Sequence, residues 1–190
     1  MKTLQDESHV GRLDQLATET PHRITYAVAP SDLGLLLVAR TERGICAILL
    51  GDAEEELEEQ LEGAFACPIQ KETSGALSDV HARVRTFVEA PARGLDEVLD
   101  VRGTEFQQRV WTKLRTIPAG RTTTYGELAR ELGMPDGARA IAGACAANVL
   151  AVAIPCHRVV KGDGNISGYR WGVERKRELL RRESICPCCG

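Results

Sequence analysis

The segment Ile154-Pro155-Cys156-His157-Arg158-Val159-Val160 sets a cysteine beside a histidine inside an apolar run opened by proline. Thiolate is the nucleophilic form of cysteine, and an imidazole can take the thiol proton or stabilise the charge left on sulfur. The pair therefore suits covalent chemistry at sulfur. Cysteine is also among the most buried residue types, so the same pair with apolar flanks reads as core packing until its neighbours are considered.

Stepping from the pair to the chain that must position it, 190 residues with 43% hydrophobic content can fold as one domain or two small ones. No apolar run approaches the ~18 residues of a spanning helix, and the polar, acidic start lacks a signal-peptide pattern, so a cytoplasmic protein without membrane contact is expected. There the seven cysteines should stay reduced, and their odd number argues against a complete disulfide framework. The net charge of -3 is unevenly divided: residues 1–100 hold 9 Lys and Arg against 19 Asp and Glu, and residues 101–190 hold 15 against 8. A basic half that carries the Cys-His pair suits nucleic acid or another phosphate-rich partner, with ordinary surface charge as the alternative.

Residues 24–29, 34–39 and 45–50 are branched-residue runs separated by turn formers, which predicts a three-strand meander. Asp52 is a possible cap for an acidic helix over 52–62, and residues 78–90 carry Val80, Val84, Phe87 and Val88 as one helical stripe. An extended stretch over 97–101 follows. Thr104 with Gln107 and Thr124 with Glu127 are two capping boxes, each opening a helix. Gly133 ends the second, and Asp136 can cap a third over 137–147, giving a helix-turn-helix outline. That third helix is almost bare: Ala138, Ala140, Ala142, Gly143, Ala144, Ala146 and Ala147 leave only Arg139 as a long polar side chain. Such a helix can approach a minor groove without reading sequence, or can pack tightly against a neighbour.

Taken together, Tyr125, Arg139, Asn148 and the Pro155–Val160 run resemble the O6-alkylguanine-DNA alkyltransferases, single-use DNA repair proteins, and the bacterial adaptive-response branch most of all. The likeness continues through Phe106-Gln107-Gln108-Arg109-Val110-Trp111, Ile117-Pro118-Ala119-Gly120, Ala146-Ala147-Asn148, Ser167-Gly168-Tyr169-Arg170-Trp171-Gly172 and Leu179-Leu180-Arg181-Arg182-Glu183, and more weakly back to about Ile24. It implies an α+β fold: a small ribonuclease-H-like domain with an antiparallel sheet over 23–100, then a helical alkyltransferase domain with a helix-turn-helix over 101–184. A flexible arm over 1–22 and a cysteine-rich tail over 185–190 flank them. The implied partner is double-stranded DNA containing alkylated bases, met by a monomer without a cofactor.

By that resemblance Cys156 accepts the alkyl group from the O6 atom of guanine, or more weakly the O4 atom of thymine, as a stable thioether. The nucleotide is flipped out of the stack, which Arg139 then fills. His157 deprotonates the thiol through a water, because neighbours in extended chain point to opposite faces, and Glu183 orients the imidazole. Tyr125 donates toward the leaving guanine, and Asn148 holds the helix-turn-helix against the cysteine segment. Tyr169 and Arg170 line the guanine pocket, Val159 and Val160 supply backbone and apolar wall, and Ala138, Ala140 and Cys145 complete the DNA- and substrate-facing set. Read on residue type alone, Glu183 is a surface carboxylate near a helix end and Tyr125 a half-buried aromatic at a helix start. The tail Cys186-Pro187-Cys188-Cys189-Gly190 departs from the family pattern; three thiols so close together do not close a tetrahedral site, so no metal is expected. The competing reading is a non-catalytic module that binds alkyl lesions.

Overall fold

A computed structural model describes residues 23–166 and 168–184. The expected arm over 1–22, the tail over 185–190 and Ser167 lie outside the described residues. The meander forms as β1 (Ile24–Ser31), β2 (Gly34–Thr41) and β3 (Gly44–Gly51), each antiparallel to the next. α1 (Glu54–Ala64) lays Leu57 and Leu61 against the sheet, and α2 (Ser78–Glu89) buries the predicted stripe with His81 beside it. Asp52 does not cap α1; its carboxylate reaches Arg175 Nη2 at 2.5 Å instead.

Between the helices lies a strand that the sequence pattern hides, β4 (Ile69–Lys71), paired parallel to β1, so the sheet runs β3-β2-β1-β4 and is mixed rather than wholly antiparallel. Three residues are too few to show an alternation. Every residue of β3 is buried although only β2 pairs along its length. Its other edge is covered at two points. Ile45 bonds to Val98 and Asp100 of the expected extended stretch, and Ile48 exchanges hydrogen bonds with Val149 and Ala151, both at 2.9 Å. The second contact joins the sheet to the chain leading into Cys156.

Both capping boxes close as predicted, at the starts of α3 (Glu105–Arg115) and α4 (Tyr125–Glu131). Gly133, at φ +76°, ends the α4 segment in the left-handed conformation that glycine tolerates. α5 (Ala138–Ala146) starts after Gly137 with no side-chain cap; Asp136 sits inside a turn closed by Gly137 N–H donating to Met134 O at 2.7 Å. The Trp111 indole of α3 donates to Ala144 O at 2.8 Å and pins α5 in place. A two-residue parallel ladder, β5 (Thr123–Thr124) with β6 (Val159–Val160), and a last helix, α6 (Val173–Ser184), complete the carboxyl-terminal half.

Candidate active site

The β5–β6 ladder sets Thr123 opposite Val159 and Thr124 opposite Val160. Tyr125 leaves β5 as the first residue of α4, and Cys156-His157-Arg158 form a single 3-10 turn entering β6, so the ladder brings tyrosine and thiol to one place. They share a cavity of about 330 Å³ lined by Tyr125, Ala142, Cys145, Ala146, Cys156, Gly168, Tyr169 and Arg170. Cys156 is 4% exposed. Arg170 holds its place by donating to Ala146 O at 3.0 Å.

Asn148 is fully buried and uses its whole amide on the turn that precedes the thiol. It accepts from Leu150 N–H at 2.8 Å and donates to Ile154 O at 2.9 Å, Leu150 O at 3.4 Å and Cys156 Sγ at 3.3 Å. The turn needs this support because Val152 sits at φ +66°, the one non-glycine in that region among the described residues. A β-branched residue there costs ~1–3 kcal/mol.

Behind Cys156, His157 Nε2 lies 2.8 Å from Glu183 Oε1, and both side chains are buried. Arg158 donates to the same carboxylate from Nε and Nη2, the latter at 2.7 Å, and also to Ile117 O from Nη1. Gly120 N–H adds a fifth donor contact at 3.3 Å. Burial would raise the Glu183 carboxyl, but the hydrogen bonds and charges of His157 and Arg158 overcome it and hold the group at about 2. Glu183 is thus a buried anion, and the surface-carboxylate reading is overturned. Burial lowers the pKa of His157, keeping the imidazole neutral at neutral pH. An ionised carboxylate only accepts, so Nε2 carries the ring proton and Nδ1 the lone pair. His157 Nδ1 is buried and has no hydrogen-bond partner among the described residues.

Burial raises the thiol of Cys156, against the hydrogen bond from Asn148 and the charge of Lys176, and lifts Cys145 and Tyr125 to about 12 each. Tyr125 therefore presents a phenol, not a phenolate, to the cavity. Tyr169 meets the His157 ring edge-on at 6.4 Å and the Trp171 ring at 5.1 Å, which fixes it as a wall.

Not every expected site residue gathers here. Val159 and Val160 form the ladder behind the cavity rather than lining it. Arg139 and Ala140 point outward on α5 with Gly143 and Ala146, while Ile141, Ala144 and Cys145 face the core. A Cβ built on Gly143 meets no described atom within 4 Å. The bare helix therefore packs one face and leaves the other open, with Arg139 at its edge. Sequence reasoning gave no role to Arg158 or to Lys176, which is 0% exposed. The signal was helical spacing: Lys176, Leu179 and Glu183 recur on one face of α6, and that face is buried.

Two family descriptions match the chain: "6-O-methylguanine DNA methyltransferase, ribonuclease-like domain" over residues 24–89 and "6-O-methylguanine DNA methyltransferase, DNA binding domain" over residues 105–185. The bifunctional transcriptional activator/DNA repair enzyme Ada of Escherichia coli strain K12 is 51% identical over 162 residues, covering 85% of this chain and 46% of its own length. The chain thus spans about half the length of that relative. The methylated-DNA--protein-cysteine methyltransferase of Mycolicibacterium paratuberculosis is 36% identical over 160 residues, covering 84% of this chain and 92% of its own. The crystal structure of Mycobacterium tuberculosis OGT in complex with DNA superposes with a TM-score of 0.68 at 34% identity, covering 84% of this chain and 92% of that one. With both halves matched in order and the Mycolicibacterium paratuberculosis relative covered nearly end to end, the chain belongs to the 6-O-methylguanine DNA methyltransferase family.

Proposed function

We propose that the chain repairs DNA directly, transferring a methyl or other alkyl group from the O6 atom of guanine in duplex DNA, and more weakly from the O4 atom of thymine, to Cys156. One observation carries the reading: Cys156 lies in the wall of a cavity that also presents a protonated phenol, with a neutral histidine and an ionised carboxylate directly behind it. The thiol proton passes to His157 Nδ1 through a water. A sulfur–carbon bond then forms as the carbon–O6 bond breaks, and the electron pair stays on guanine. Guanine regains a proton with the Tyr125 hydroxyl as donor, and the imidazolium returns the proton that the phenol gives up. The thioether product is neutral and has no leaving group that these side chains can activate, so one molecule acts once.

DNA is met by the open face of α5, a surface of small residues that suits backbone contact rather than base reading. Arg139, exposed at its edge, fills the stack left by the flipped nucleotide. The reading divides the chain into a ribonuclease-H-like domain over 23–100 and a DNA-binding alkyltransferase domain over 101–184. The protein works as a cytoplasmic monomer, where its thiols stay reduced. No helix among the described residues is long and apolar enough to cross a membrane.

The test is the intact mass of the protein after incubation with duplex DNA containing O6-methylguanine, followed by mapping of the adduct. A single methyl gain on Cys156 is expected, absent in C156A, which still binds the duplex. Tight lesion binding by folded protein with no mass gain would replace this reading with the non-catalytic module.

A further inference from the structure

Three buried polar atoms beside the cavity have no hydrogen-bond partner among the described residues: His157 Nδ1, Tyr169 Oη and Trp171 Nε1. They belong to one group of rings. Tyr169 meets both of the others edge-on, its centroid 6.4 Å from that of His157 and 5.1 Å from that of Trp171. The tyrosine ring lines the cavity, yet its hydroxyl is buried, so the oxygen points behind the wall instead of into the open space. The ionisable groups that act on Tyr169 are Cys156, Glu183 and Arg175, and those that act on His157 are Glu183, Arg158 and Lys176; none of them bonds to the three atoms. A buried polar group without a partner is costly, and three in contiguous side chains call for a common partner.

The three atoms are complementary in what they ask for. With Nε2 protonated against Glu183, His157 Nδ1 only accepts; the Trp171 indole only donates; burial keeps Tyr169 a phenol, which does both. Water meets all three demands, since a buried water takes about 2–4 polar partners. Through one water, polar atoms up to about 5.5 Å apart are joined, a span that suits rings at these separations. Cys156 needs such an intermediary: its Sγ accepts from Asn148 Nδ2 at 3.3 Å, and no hydrogen bond joins it to His157 Nδ1. Cys156 heads the charged groups that act on the Tyr169 hydroxyl, so sulfur and hydroxyl are neighbours.

We propose that Tyr169 is a positioning residue for the transfer, its buried hydroxyl and the Trp171 indole holding the internal water that carries the Cys156 proton to His157. The inference deepens the proposed relay and rests on Cys156 being the alkyl acceptor. The water takes the thiol proton and gives one of its own to Nδ1, so sulfur is left as thiolate, the imidazole becomes imidazolium and the water is restored. The tyrosine O–H, donated to the same oxygen, fixes the direction of the exchange: one water hydrogen is turned to Nδ1 and a lone pair is left for the thiol. The indole N–H donates into the same cluster, which accounts for the third unpartnered atom.

The experiment compares wild type with Y169F, which keeps the ring as a wall and removes the hydroxyl, and with W171F, which removes the indole donor. Single-turnover methyl transfer from O6-methylguanine duplex is followed from about pH 6 to about pH 9.5 over a range of duplex concentrations, and Tm is recorded for each protein. At saturating duplex Y169F should be slowed about tenfold near neutral pH and W171F about threefold, with the half-saturating concentration unchanged. The deficit should narrow as pH rises and hydroxide takes the thiol proton without the relay. Y169F should melt no higher than wild type, because a hydroxyl bonded to water is satisfied, whereas removing an unsatisfied one stabilises the fold. Three results would overturn the proposal: transfer by Y169F within about twofold of wild type at neutral pH, an equal deficit at every pH, or a Tm raised by about 3 °C or more in Y169F. Failure of the underlying reading looks different, because wild type itself would then gain no methyl on Cys156 at any pH.

Discussion

Replacing Glu183 by glutamine keeps the shape of the side chain and removes its charge, so it isolates what the carboxylate does. Oε1 accepts from His157 Nε2 at 2.8 Å and Arg158 Nη2 at 2.7 Å, and Oε2 from Arg158 Nε at 3.0 Å and Gly120 N–H at 3.3 Å. Glutamine has one acceptor oxygen, and either orientation turns its NH2 group against two of these donors. Arg158, only 9% exposed, also loses its counter-ion. Breaking a buried pair from one side costs about 3–5 kcal/mol, which for a chain of this size lowers Tm by about 10 °C. With NH2 facing His157, Nε2 becomes the acceptor and the ring proton moves to Nδ1, the atom that must be the base. Transfer should fall at least about 100-fold.

Stopped single-turnover assays and melting curves read the two effects separately. Adding R158M should recover much of the lost stability, because removing both charges is far less costly than removing one, and should not recover the rate. The pH dependence has a fixed direction. Because the folded carboxyl sits near 2 against an ordinary 4.5, its stabilisation is complete above 4.5 and is lost as pH falls toward 2. E183Q should lack that component of acid sensitivity. A variant that transfers within threefold of wild type and melts within about 2 °C of it would refute both the relay and the energetic account.

Other expectations follow from the same geometry. N148A leaves Leu150 N–H and Ile154 O without their side-chain partners inside a strained turn, and should cost about 2–4 kcal/mol in urea unfolding; a loss below about 0.5 kcal/mol would mean that the amide is not what holds the turn. G143A should stabilise α5 by about 0.5–1 kcal/mol, whereas G143E, whose side chain enters open space, should fold normally and weaken duplex binding if the proposed interface holds. Equal binding by the two would remove the open face of α5 from the interface. R139A should slow transfer from duplex far more than from single-stranded substrate, where no stack needs filling, and an equal effect on both would sink its role in flipping.

What the sequence made legible was whatever is decided within a few residues. The two capping boxes need only Thr104 with Gln107 and Thr124 with Glu127, and both closed. The stripe of α2 needs only its own spacing. Asp52 fails as a cap because a partner 123 residues away takes its carboxylate, and no local rule contains Arg175. β4 exists because β1 offers it a parallel edge, not because Ile69–Lys71 prefer extension. Cys156 and His157 were visible as types, whereas the burial of Glu183 was not, since a carboxylate directly after Arg181 and Arg182 looks solvated until α6 turns it inward. For the bare helix, composition left packing and DNA contact both open; the structure packs one face and leaves the other open, so the two need not compete.

The sheet carries no chemistry, yet the aim of the thiol depends on it. The strained turn at Val152 would relax if it were free, and Asn148 restrains it only from the α5 side. From the other side Ile48 of β3 exchanges two backbone hydrogen bonds with Val149 and Ala151. Arg175 then fastens α6 to the same sheet, donating to Leu33 O at 2.7 Å and to Asp52. α6 brings Glu183 and Lys176, and the turn brings Cys156 and His157, so the thiol and the charged side chains meet because both are tied to one sheet. This accounts for the second of the two points at which the outer edge of β3 is covered: Ile48 pairs with the turn that precedes Cys156, which converts the stability of a meander into the position of a sulfur atom.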